Sequence, residues 1–272
     1  LFLLSLTLTL IGLPAQARAA GEEQVCSFFG IEGRTFSRWR DLANQGSAPK
    51  PKEGYSFELL SLGLPEGIKL SGYRITANQE QRTPRALLVL LGNAMQTDRL
   101  LNIVTFFADQ AFDVFLFDYR GYGKSEGEPR LKAIAQDQIR ITDFIKSQGY
   151  QKLYLYGMSM GGIFAMSPHM PRTDFTAIAI DSSPAKFPWY AFCPTDYNPI
   201  SNVPEDSSNI LIISGDQDTV IPASDVKPLG EKVVENGGTY INRKDLRHPL
   251  MDSRKATDFR FGAVVEFFAG RE

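Results

Sequence analysis

The 272-residue chain has little of several things. Two cysteines, Cys26 and Cys193, are too few for a disulfide-rich scaffold or a Cys-based zinc site. Two histidines, His169 and His248, leave few candidates for any base with a neutral pKa. Neither sign of charge dominates: 29 Lys and Arg against 31 Asp and Glu give a net charge of -2. A nucleic-acid binder with a basic surface is therefore disfavoured. The 23 Gly and 16 Pro follow no period, which excludes a collagen-like chain. With 43% apolar residues the chain is not of disordered composition, and its length can bury a core without staples.

The apolar run Leu1 to Leu13 falls short of the roughly 20 residues of a spanning helix. Pro14 breaks it, and Ala15-Gln16-Ala17 and Ala17-Arg18-Ala19 follow, both of the A-x-A form. We read residues 1–20 as a secretory signal peptide, cleaved on export to the periplasm or the exterior. Membrane contact is expected only if that segment is retained as an anchor. Glu23-Gln24-Val25 before Cys26 does not fit a lipoprotein signal. In an oxidising compartment Cys26 and Cys193 could pair or stay as thiols; sequence leaves this open.

Residues 21–54 form a polar N-terminal arm ending near Ala48-Pro49-Lys50-Pro51-Lys52. Its Phe28, Phe29, Phe36 and Trp39 are expected to pack on the body. Strands and helices then alternate. Phe57–Leu62 and Ile68–Ile75 read as a hairpin, turning at Leu64-Pro65-Glu66-Gly67. Ala86–Leu91, Phe112–Phe117, Leu153–Tyr156, Ala177–Ile180, Ile210–Ser214 and Thr239–Asn242 read as further strands. Helical stretches are expected around 98–110, around 134–145, after Ser159, near 224–236 and near 255–269. The pattern predicts an α/β fold with a mainly parallel sheet of about eight strands flanked by helices. The Pro-rich stretch 182–209 reads as a connection across one end of the sheet, with little or no lid.

Gly157-Met158-Ser159-Met160-Gly161 has the G-x-S-x-G form of a nucleophile elbow. It follows an apolar strand, and a helix N-terminus there would aim free N–H groups at a reacting centre. A serine hydroxyl needs a base. His248 lies in the loop after the last strand, where sites form in parallel sheets, and is preferred to His169. Asp218, in Gly215-Asp216-Gln217-Asp218, follows the Ile210–Ser214 strand and is the preferred acid, with Asp216 and Asp181 as alternatives. Met160 N–H, and the N–H of Asn93 or of Ala94 close behind, are the expected oxyanion donors. Asp118 and Arg120 are read as loop ties, and Glu126 and Glu128 as surface carboxylates, not a glycosidase pair.

Three stretches resemble the α/β-hydrolase superfamily over roughly residues 55–270. They are Asp118-Tyr119-Arg120-Gly121-Tyr122-Gly123-Lys124-Ser125-Glu126-Gly127-Glu128-Pro129, Gly157–Gly162, and Gly215-Asp216-Gln217-Asp218-Thr219-Val220-Ile221-Pro222. The likeness is strongest to the small, nearly lidless serine hydrolases of the bud-emergence-type group. It implies that residues 55–272 are one catalytic domain. It also implies a Ser159, Asp218, His248 triad acting on a small ester or acyl substrate, with no metal or organic cofactor. The chain departs from the group at Leu91-Gly92-Asn93-Ala94-Met95, where His-Gly-Asn-Ala-Gly is common, so the acyl pocket should differ. Arg247 stands where a Gly near the histidine is usual. A non-catalytic binding protein of the cell envelope, built on the same scaffold, is the alternative. Oligomeric state is not legible.

Overall fold

A computed structural model of the chain describes residues 25–26, 36, 40–41, 50–77, 83–187 and 193–271. The expected signal peptide lies outside them, as do Phe28, Phe29 and Trp39. Phe36 is buried, as expected of the arm's aromatics. Among the described residues no helix is long and apolar enough to cross a membrane.

The strands are β1 (Tyr55–Gly63), β2 (Lys69–Ala77), β3 (Arg85–Leu90), β4 (Asp113–Phe117), β5 (Lys152–Met158), β6 (Ala177–Asp181), β7 (Ile210–Gly215) and β8 (Thr239–Arg243). They form one sheet in the order β1-β2-β4-β3-β5-β6-β7-β8. The β1–β2 hairpin pairs antiparallel and joins β4 antiparallel; every other pairing is parallel. All residues of β4, β6 and β7 are buried, which explains their unbroken apolar runs. The helices are α1 (Thr97–Ala108), α2 (Leu131–Ser147), α3 (Met160–Ala165), α4 (Ala223–Glu235) and α5 (Arg254–Ala269).

The two-residue period of strands sorts the layers. Tyr154 and Tyr156 of β5 share a face with Leu87 and Val89 of β3, their register partners. On that face Phe107 of α1 and Phe261 of α5 stack at 4.7 Å between ring centres, both against Tyr156. Phe117 of β4, on the opposite parity, meets Phe144 of α2 at 6.2 Å. Helices thus cover both faces of the sheet. The helix after Ser159 is only six residues long, ending well before Pro168, which cannot continue the backbone ladder.

The loop after β4 folds around Asp118. Its carboxylate accepts the amides of Thr97 at 2.8 Å and Lys124 at 3.1 Å. A side chain at Gly123, where φ is 51°, would overlap that carboxylate. Arg120, buried, holds Asp137 of α2 through Nε at 2.7 Å and Nη2 at 2.5 Å. Both residues therefore tie loops together, as expected. A disulfide joins Cys26 to Cys193, fastening the arm to the connection after β6. Among its described residues that connection carries the short 3-10 turns Thr195–Tyr197 and Pro199–Asn202.

Two measurements follow from these ties. Burial pushes the Asp118 carboxyl up to about 6, against the amides of Thr97 and Lys124. The folded group binds its proton more tightly than the unfolded one, so ionising it opposes folding. Its contribution is full below about pH 4 and lost as pH rises through about 6. Asp118→Asn is expected to flatten that slope in a series of melting temperatures; parallel slopes would refute the assignment. Cys26→Ser is expected to lower Tm by on the order of 5–10 °C. An unchanged melting curve would mean that the link constrains nothing.

Candidate active site

β5 ends against a turn whose centre is Ser159, at φ 51° and ψ -115°. A non-glycine residue in such a backbone stores on the order of 1–3 kcal/mol, so the surroundings must enforce it. They do so by close approach. A side chain at Gly161 would overlap the Leu90 carbonyl of β3, and one at Gly157 would stand 2.8 Å from the Gly161 oxygen. The Ser159 amide donates to the Asp181 carbonyl of β6 at 2.8 Å. The serine thus stands at the carboxyl ends of three neighbouring strands.

Two and three strands beyond β5, Asp218 follows β7 and His248 follows β8. His248 Nδ1 lies 2.8 Å from Asp218 Oδ2, and both residues are buried. Asp218 Oδ1 accepts the amides of Val220 and Ile221, each at 2.8 Å. Burial alone would raise this carboxyl; His248 and the two amides together hold it below its ordinary value. An acceptor at Nδ1 keeps the proton there and leaves Nε2 basic. No hydrogen bond joins His248 Nε2 to Ser159 Oγ, so of the three predicted residues only the acid and base are bonded to each other.

The alternatives lie elsewhere. Asp216 is exposed and accepts from Asn242. His169 sits beyond the end of α3, exposed, 3.3 Å from the Tyr197 hydroxyl. Asp181 is fully buried and accepts the Tyr156 hydroxyl at 2.8 Å. It is also paired with Arg260 of α5. Arg260 holds Asp252 through Nε at 2.6 Å and donates to the Arg247 carbonyl. Asp252 in turn accepts the Arg247 amide at 2.6 Å. The loop carrying His248 is thereby bolted to the strand end that holds Ser159. The Arg247 side chain itself is exposed.

The loop after β3 lies alongside the serine. Tyr119 Oη donates to the Leu91 carbonyl at 2.6 Å. Gly92 N–H is engaged by Met95 Sδ at 3.1 Å, and Ala94 N–H by Asn93 Oδ1 at 2.9 Å. The Asn93 amide takes no backbone partner among the described residues, which favours it over Ala94 as a donor. Met160 opens α3, where the first amides lack helical acceptors. Arg260 was not singled out from sequence, yet a signal exists. Ala256, Arg260, Val264 and Phe268 form one buried stripe at four-residue spacing, and a charge on such a stripe demands partners.

The family description "Serine aminopeptidase, S33" matches residues 82–203. An uncharacterized membrane protein of Saccharomyces cerevisiae is 29% identical over 147 residues, 52% of this chain and 51% of that one. Protein bem46 of Schizosaccharomyces pombe is 26% identical over 202 residues, 65% of this chain and 67% of that one. The chain spans about half to two thirds of the length of the curated relatives it matches. The esterase Pf2001 of Pyrococcus furiosus superposes with a TM-score of 0.60 at 17% identity, over 82% of this chain and 99% of that one. Sheet order, strand-end turn and the structural likeness show the α/β-hydrolase fold. Among the curated proteins the chain is similar to Protein bem46 and to the yeast membrane protein.

The network around Arg260 has a measurable worth. Arg260→Met leaves Asp181 and Asp252 as buried charges without their partner and is expected to cost about 3–5 kcal/mol in urea unfolding. A cost below about 1 kcal/mol would show the pairing to be incidental.

Proposed function

We propose that the protein is a serine hydrolase of carboxylic ester or thioester bonds, working through an acyl-enzyme on Ser159. The observation that carries this reading is the buried Asp218–His248 pair, two and three strands from a serine held in strained backbone at the same sheet end. His248 Nε2 takes the Ser159 proton as Oγ bonds to the acyl carbon. The amides of Met160 and Asn93 receive the developing oxyanion. As the tetrahedral centre collapses, His248 gives the proton to the departing alcohol or thiol. Water then attacks the acyl-enzyme, losing its proton to His248, and the acid leaves as Ser159 regains its hydrogen. Asp218, held ionised by three hydrogen bonds, supports the imidazolium at each step. No residue in this scheme calls for a metal or organic cofactor.

We also infer export to the periplasm or exterior. The apolar leader with its A-x-A sites supports this, as does a disulfide suited to an oxidising compartment. Ser159→Ala is expected to lower kcat on p-nitrophenyl esters by roughly 10⁴–10⁶. The wild type, but not the variant, should be labelled by a fluorophosphonate. Wild-type protein that neither hydrolyses nor labels would favour the binding-scaffold reading instead.

A further inference from the structure

The Met95 side chain folds back over its own loop. A Cβ at Gly92 would lie 2.7 Å from Met95 Cε, 2.9 Å from Met95 Sδ and 3.5 Å from Ser159 Cβ. The thioether therefore fills the seat beside the nucleophile that a side chain at 92 would take. It is fastened there, since Sδ accepts the Gly92 amide at 3.1 Å.

The order of strands tells which part of a substrate meets it. Along the sheet the loop after β3 lies on one side of β5, while β6, β7 and β8 lie on the other. Asp218 and His248 follow β7 and β8. The leaving alcohol must face His248 to receive its proton. The oxygen turns to the amides, and the acyl group is directed away from His248; residues 92–95 border Ser159 on that side.

Resting on the hydrolase reading above, we propose that Met95 sets acyl-chain specificity. Its thioether closes the acyl side of the site and makes short acyl groups, of about two to four carbons, the preferred substrates. A straight, unbranched side chain is suited to this, because it fills an irregular gap without fixing a rigid wall.

The test uses the whole chain and p-nitrophenyl acetate, butyrate and octanoate, with wild type, Met95→Ala and Met95→Leu. Wild type is expected to prefer acetate or butyrate. Met95→Ala should raise the octanoate-to-butyrate ratio of kcat/KM by about tenfold or more, since each methylene newly housed is worth at least that order. Met95→Leu, which restores the bulk without the sulfur, should hold the ratio near wild type. An unchanged ratio in Met95→Ala overturns the proposal, as does a wild type that already prefers octanoate. A series of acetate esters with longer alcohols should not respond to Met95→Ala; a shift confined to that series would put Met95 on the leaving-group side and overturn the assignment. Fluorophosphonate labelling of Ser159 is read in parallel. A labelled wild type with an unmoved ratio removes only the role of Met95, whereas no label and no turnover removes the hydrolase reading together with it.

Discussion

The guanidinium of Arg260 is the point on which the site's geometry hangs. It is buried among two carboxylates and a backbone carbonyl, drawn from a strand end and from the loop that carries His248. Neither Asp181 nor Asp252 could sit there alone, because an unpaired buried carboxylate is strongly disfavoured. Burial drives the Asp181 carboxyl upward, and Arg260, Tyr156 and Ser182 oppose that drift. Through the Asp181 carbonyl the same residue also holds the Ser159 amide. The turn at Ser159 and the loop of His248, nearly ninety positions apart in the chain, are therefore referenced to one strand end.

Much of this was legible from residue order alone. The apolar runs of β3 to β7 are doubly covered strands, and their burial leaves little room for another reading. The elbow was legible because its glycines are imposed by close approach, which no other residue satisfies. Asp218 and His248 were singled out from their positions just after strands, and the structure brings these two side chains together. The disulfide was not, since pairing depends on where a 167-residue separation brings two ends. The short α3 was not foreseen in length, because an elbow signals only where a helix begins. Arg260 was missed because its role comes from partners on three distant segments.

The loop after β3 carries a different lesson. Its backbone donors are indifferent to residue type, so the sequence reading preferred Asn93 to Ala94 only narrowly. The hydrogen bonds distinguish the two amides. Ala94 is taken by the Asn93 side chain and Gly92 by the Met95 sulfur, and the amide between them remains. Side chains here act by occupying neighbouring donors, which leaves the Asn93 amide without a backbone partner among the described residues.

The bond between Cys26 and Cys193 also changes the topology of the molecule. It closes a covalent ring that contains β1 to β6, all of α1 to α3, and Ser159. Asp218 and His248 lie on the tail outside the ring. A single backbone cut anywhere between the two cysteines opens the ring without separating the molecule into pieces. The segment bearing Ser159 is thereby insured against one clip by a protease, a protection that the segment bearing Asp218 and His248 does not share.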